Sequence, residues 1–318
     1  MKIQTINKDE KNWNILFEQI VKGNVIPVIE SESVRVEQKN LLKFLILLTM
    51  WFLCGLYSWA QPAGFQAVID EARSYSQQKE YEKSSECYEK AINMLKGTEA
   101  ESLIPSVRSF IAINNMHLGI AALKAKDYPK AKAFLEKAVS DAKPNSKTYY
   151  MANSWMGEWY SMQALTIHTE RGDYEEAIRL SLGAEFYFDL AHEPEKRLDE
   201  QLIRASALHS LSRTDEAATL LGQIITECEN NSKRNFIYGK AAYKLGIIEV
   251  EAERYQGGVK HLEKAYDLFI AEATPVARTQ ARLAANKLSG IYSQQIPDDE
   301  RADLWKRRAD ELEKVNAN

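Results

Sequence analysis

Chemistry needs nucleophiles, acids, bases or metal ligands held close together, so the histidines, cysteines and paired carboxylates come first. The five histidines are His117, His168, His192, His209 and His261, and no two stand three or four residues apart, the spacing that would put metal ligands on one helix face. His168 with Glu170 is the nearest thing to a cluster and reads as a helix-end capping pair. Of the three cysteines, Cys87 and Cys228 are far apart in the chain and read as small core residues, while Cys54 sits in an apolar run. Glu175-Glu176 and Asp298-Asp299-Glu300 fall where helices should begin, and there carboxylates favour the macrodipole. There is no Gly-rich phosphate loop ending in Lys-Ser/Thr, no Gly-x-Ser-x-Gly elbow and no His-Glu-x-x-His. The expectation is a protein without enzymatic activity and without catalytic, metal or cofactor-binding residues.

The elements that carry these residues are helical. The chain has 318 residues, 41 Lys plus Arg against 45 Asp plus Glu, and 45% hydrophobic residues, the composition of an ordinary globular protein. A net charge of −4 with no basic run offers nothing to nucleic acid. From residue 61 onward apolar and alanine positions recur every three or four residues, and no run alternates with period two. Pro62, Pro105, Pro129, Pro144, Pro194, Pro275 and Pro297 fall between helical patterns or in a first turn. Proline in a helix interior costs about 3 kcal/mol, so these positions mark helix boundaries. The pattern predicts helix hairpins near 64–96, 105–142, 147–191, 197–230 and 233–272, and a final pair at 276–294 and 298–315 with a polar, capping finish.

A phrase repeats within this array. Tyr88-Glu89-Lys90-Ala91-Ile92 returns as Leu135-Glu136-Lys137-Ala138-Val139 and as Leu262-Glu263-Lys264-Ala265-Tyr266. Each follows a turn with a tyrosine: Lys79-Glu80-Tyr81, Lys126-Asp127-Tyr128 and Glu253-Arg254-Tyr255, with Gly172-Asp173-Tyr174 as a fourth. Ala72 with Tyr75, Leu118-Gly119 and Leu245-Gly246 stand upstream at matching offsets. These residues resemble the tetratricopeptide repeat, with small residues where two helices touch and larger ones filling the space between them. The anchors Ala91, Ala138, Ala184, Ile224 and Ala265 are 47, 46, 40 and 41 residues apart. The common repeat is about 34 residues, so the helices or links here are longer.

The resemblance spans residues 61–318. It implies an all-α fold, a right-handed superhelical solenoid of helix hairpins that binds a protein or peptide partner in the groove lined by the first helix of each hairpin. Transferring the family's groove positions gives Ile69 and Arg73, then Met116 and Ile120, then Trp159, Met162 and Thr166. Leu202 with Ser206 and Tyr243 with Ile247 follow. In members that clamp a C-terminal carboxylate, lysine and asparagine stand at such sites, and here they do not. Trp155 lies one turn before Trp159, beside Tyr149, Tyr150 and Tyr160, and reads either as a packing seam or as a binding hot spot. The oligomeric state stays open.

Two segments precede the array. Leu41–Ala60 carries a single charge, Lys43. As a helix its twenty residues would span roughly 30 Å, the hydrocarbon thickness of a bilayer. Lys39 and Lys43 ahead of it, and Ser58-Trp59-Ala60 at its end, read either as a cleaved signal peptide or as a transmembrane signal-anchor. Either puts the repeat domain outside the cytoplasm, in the cell envelope or periplasm of a bacterium, with membrane contact through residues 41–60 if they are retained. Within residues 11–32, the Trp13–Val21 helix pattern, Gly23 and the apolar Val25–Ile29 run resemble the opening of sirtuin-like domains. Glu30-Ser31-Glu32 replaces the glycine that would let a nucleotide phosphate approach. Residues 1–40 therefore read as a remnant or an over-extended start. The functional expectation is a protein-binding scaffold of the cell envelope. The alternative is the sensing arm of a larger signalling or caspase-like protease system, since similar exported arrays precede such domains in bacterial families.

Overall fold

The computed structural model describes residues 61–229, 231 and 234–317. The apolar segment 41–60 and the sirtuin-like segment 11–32 lie outside the described residues. Ala63–Gly97 together with Glu101–Asn318 form one compact unit, the subject of everything below.

Twelve α-helices, and no strand among the described residues, run in six consecutive hairpins. They are α1 (Phe65–Gln77) with α2 (Tyr81–Leu95), α3 (Ile104–Lys124) with α4 (Tyr128–Asp141), and α5 (Lys147–Thr166) with α6 (Tyr174–Leu190). Next come α7 (Pro194–Ser210) with α8 (Thr214–Cys228), α9 (Asn235–Glu251) with α10 (Tyr255–Glu272), and α11 (Pro275–Gln294) with α12 (Asp299–Ala317). The array is an all-α solenoid of hairpins, and its helices begin and end within a few residues of the positions that proline and periodicity suggest. Prolines open α3, α4, α7 and α11 in the first turn, where a missing N–H costs nothing. Asp127, Ser146, Asp173 and Thr274 cap α4, α5, α6 and α11 by accepting from backbone N–H groups three residues on, at 3.1–3.2 Å. The extra length over a common repeat lies largely in long first helices, 21 residues in α3 and 20 in α5.

Four hairpins turn in the same way. Lys79, Lys126, Ser212 and Glu253 adopt left-handed φ values of 59–64°. The next residue's N–H then reaches back five residues, from Glu80 to Tyr75, Asp127 to Ala122, Arg213 to Leu208 and Arg254 to Glu249, at 2.8–2.9 Å. This is the Schellman closure, made here by residues that carry a Cβ. Just before it, a small residue lets the two helices approach. A Cβ on Gly119 would lie 2.7 Å from Leu135 Cγ, and one on Gly246 would lie 2.8 Å from Leu262 Cγ. Leu135 and Leu262 are fully buried there, as are Ala91, Ala138, Ala184 and Ala265 at the seams to the next hairpins.

The third hairpin departs from this pattern. After Thr166 the chain makes a π-helical stretch, Ile167–Arg171, before turning at Gly172 with φ 65°. Ala72, Gly119, Ala205 and Gly246 each stand eight residues before the residue that caps the second helix, but the equivalent buried Ala164 stands nine before Asp173. One residue is accommodated in the π turn, which shifts the register of α5 against the other first helices.

Candidate partner-binding face

The first helices touch one another through the middle of the array: α3 meets α5, α5 meets α7 and α7 meets α9. They therefore form a continuous wall, with the second helices behind it. From α5 to α9 polar contacts run along this wall. Ser154 Oγ donates to Glu193 Oε2 at 2.8 Å, and Lys196 Nζ lies 2.7 Å from Glu158 and 3.0 Å from Glu193. Ser161 donates to Glu200, Lys240 pairs with Asp199, and Lys244 Nζ donates to Ser206 Oγ at 2.6 Å. Apart from Lys196 with Glu193, which stand together at the start of α7, the partners are 38 to 41 residues apart, one repeat length, so each rung joins corresponding parts of neighbouring first helices.

Burial perturbs three members of this wall. Glu200 is 3% exposed and its Oε2 has no hydrogen-bond partner. Desolvation, with the nearby charges of Asp199, Glu185 and Glu158, raises its carboxyl to about 7 against the Ser161 hydrogen bond, which favours the anion. Burial lowers the Lys244 ammonium, and Lys240 adds to the effect. Burial also lowers the His168 imidazole, with Lys244 adding to that shift. In contrast, burial works against the Lys196 ammonium, but Glu158 and Glu193 more than offset it and the pKa is raised.

Between the seams α5 presents an open stripe. Met151, Trp155, Glu158, Met162 and Leu165 recur at intervals of four and three residues, and so share a face. Met151, Met162 and Leu165 are 40%, 38% and 50% exposed, three of the ten exposed large hydrophobic residues described. Beside them Tyr150, Met151, Ser154, Trp155, Ala191 and Glu193 line a shallow pocket of about 140 Å³.

The groove residues read from the sequence divide accordingly. Ile69, Met116, Leu202 and Trp159 are buried and hold the hairpins together rather than facing solvent. Trp159 is a packing residue: its indole N–H donates to the Tyr128 carbonyl at 2.9 Å, and its ring meets Tyr160 edge-on. Arg73 is exposed and pairs with Asp70 at 3.4 Å. Ile120 and Trp155 are half-buried together at the α3–α5 seam with Met116. Tyr243 and Ile247 are half-buried against the Val250–Trp305 core cluster. Ser206 holds Lys244, Thr166 donates to the Met162 carbonyl at 2.8 Å, and on the α5 stripe lie two of the set, Met162, which is exposed, and Trp155, which is half-buried. In α5 the π stretch displaces the transferred groove positions by one residue. Glu158, Ser161 and Leu165 occupy the positions that Trp159, Met162 and Thr166 were expected to hold. His168 is not a capping residue either: its ring meets Tyr174 at 5.4 Å and Gly172 ends the helix. The polar rungs escaped the sequence reading altogether, although complementary donors and acceptors one repeat apart were a usable signal.

Comparison with known proteins gives one family match. The tetratricopeptide repeat family matches residues 66–94, which is α1 with α2. The first hairpin is similar to a tetratricopeptide repeat. The hairpins after this repeat carry the same small residue and, in three cases, the same turn closure. No curated protein gives a match to the chain. Among solved structures, BtubC from P. vanneervenii is 12% identical with a TM-score of 0.49, over 80% of this chain and 92% of that one. A Rap conjugation gene regulator in complex with a Phr peptide is 14% identical with a TM-score of 0.44, over 80% and 76%. YrrB, a tetratricopeptide repeat protein with a peptide-binding site, is 17% identical with a TM-score of 0.31, over 63% and 84%. Likeness at these scores carries no argument about function.

Proposed function

We propose that this protein is a non-enzymatic scaffold that binds a protein or peptide segment along the wall of first helices, centred on α5. The observation that carries this is the open stripe of α5. Met151, Met162 and Leu165 leave apolar surface exposed there, while the polar rungs to α7 and α9 keep the neighbouring helices in place. A helix face that needed only to be solvated would carry charges at those positions. Methionine suits such a face because its unbranched thioether adapts to differently shaped partners. In the same proposal, Leu41–Ala60 exports or anchors the array so that it works in the cell envelope. N-terminal sequencing of the native protein from fractionated cells tests that part: a start at Gln61, or a membrane-bound start ahead of residue 41, supports it, and a soluble full-length cytosolic product overturns it.

Partner binding is tested by capture with the wild type, Met162→Glu, Leu165→Glu and the control Phe186→Glu. Phe186 is 58% exposed on α6, a second helix. The reading predicts that both α5 variants lose the captured partner, that the control keeps it, and that helicity is unchanged in all. Equal capture by all four would overturn it.

A further inference from the structure

Where α7 begins, two carboxylates share one ammonium. Lys196 Nζ lies 2.7 Å from Glu158 and 3.0 Å from Glu193, and it donates to Ser154 Oγ at 3.2 Å. All three donors of the ammonium are spent on this seam, yet one of the two negative charges is left uncompensated. The next cation along the chain, Arg197, is itself taken by Asp189 at 3.0 Å and Glu227 at 2.6 Å. The acidic excess is strong enough to raise the Lys196 pKa although burial opposes its charge.

This excess borders the pocket beside α5. Glu193 lines that space of about 140 Å³ together with Tyr150, Met151, Ser154 and Trp155. Cofactor and drug-sized sites run to about 300–1,000 Å³, so this one suits a single side chain. Its parts are held in place by the fold. The Tyr150 ring packs on His192 with centroids 4.8 Å apart, and Trp155 packs on Met116 and Ala152 at the α3 seam. Glu193 is fixed through its backbone: His192 adopts φ 57°, the Glu193 N–H reaches back to the Phe188 carbonyl at 2.9 Å, and the Glu193 carbonyl accepts from the Arg197 N–H at 3.1 Å. Aromatic faces attract a cation, a carboxylate pairs with it, and the Met151 thioether packs on methylene groups. An anion would be repelled by Glu193, and an apolar group would desolvate that carboxylate without pairing it.

We propose that this pocket takes a cationic side chain of the bound partner segment, its charge on Glu193 and its methylene groups against Tyr150, Trp155 and Met151. The inference rests on the reading of α5 as the partner surface, because Met151 and Trp155 belong to the open stripe. It adds that the segment is basic where it passes the start of α7. A lysine ammonium and an arginine guanidinium both carry this chemistry, and peptides separate the two.

The test follows the Trp155 fluorine resonance of the full chain labelled with fluorotryptophan, assigned by its loss in Trp155→Phe. The probes are hexa-lysine, hexa-arginine and hexa-glutamine, each blocked at both ends. A cationic peptide is expected to shift Trp155 and hexa-glutamine to leave it unmoved, and the tighter of the two cationic peptides names the side chain. Glu193→Gln should weaken that binding about tenfold, the size of one charge-assisted hydrogen bond. Glu311→Gln removes the same charge from α12 and should leave the binding as it is, which separates the pocket from general attraction to an acidic protein. Met151→Lys supplies the pocket with an ammonium from the chain itself and should abolish the response. Met151 is 40% exposed, so the fold tolerates that change. A Trp155 signal unmoved by both cationic peptides, or binding equally tight in wild type and Glu193→Gln, overturns the pocket. Capture separates the two claims. If Leu165→Glu loses the partner and Met151→Lys keeps it, the pocket falls and the scaffold reading stands. If Trp155 responds to a cationic peptide but neither Met162→Glu nor Leu165→Glu changes capture, the pocket stands and the scaffold reading falls.

Discussion

Glu200 makes the stability of the array depend on pH in the direction opposite to an ordinary ion-paired carboxylate. In the folded chain its carboxyl titrates at about 7, against 4.5 in the unfolded chain, because it is buried between α5 and α7 with one oxygen unpartnered. Between those two values the folded state keeps a proton that the unfolded state releases. Its stabilising share is therefore full below about 4.5, falls as pH rises and is gone above about 7. Each pH unit is worth about 1.4 kcal/mol, so the stability lost between pH 5 and pH 8.5 is about 2–3 kcal/mol. That is a large fraction of a typical domain's 5–15 kcal/mol. Glu200→Gln keeps the shape and the Ser161 contact and cannot ionise. Urea unfolding of both proteins at pH 5 and pH 8.5 should give similar stabilities at the lower pH and a variant more stable by about 2–3 kcal/mol at the higher. Subtracting the two proteins cancels the other titrating groups. Repeat arrays can open in parts, so hydrogen exchange of the α7 amides reads the same difference locally. A difference between wild type and variant that does not change with pH would refute the argument.

Other consequences are as direct. Gly119→Ala drives a Cβ to within 2.8 Å of two Leu135 atoms and should cost about 1–3 kcal/mol by thermal or urea unfolding. Glu253→Gly removes the strain of a Cβ at φ 59° and should stabilise by up to about 1 kcal/mol, whereas the same change at a right-handed helical position would destabilise. Trp159→Phe deletes the donor to the Tyr128 carbonyl, so unfolding should show a loss of about 1 kcal/mol or more while partner capture is unchanged.

Much of the fold was legible because its determinants are local. Prolines at helix starts, the three-and-four periodicity, and small residues such as Gly119 and Gly246 before a turn and its tyrosine each fix a hairpin without reference to distant contacts. The site was less legible, for two physical reasons. The π stretch at Ile167–Arg171 has no residue that announces it, so transferring the family's groove positions put Trp159 and Thr166 where Glu158 and Leu165 stand. And an apolar residue at a groove position serves equally well as a seam: Ile69, Met116 and Leu202 turn inward because the neighbouring hairpin offers them more apolar contact than solvent does. Glu200 and Lys244 reveal their roles only once α7 and α9 are placed, since it is burial between helices that perturbs them.

The claim on which the rest depends is that partners bind along α5, and site-specific photo-crosslinking in cells tests it most directly. A benzophenone amino acid placed at Leu165 should yield a discrete crosslinked partner, and the same group at Phe186 on α6 should not. Crosslinks of equal yield and identity from the two positions, or from Phe186 alone, would contradict it.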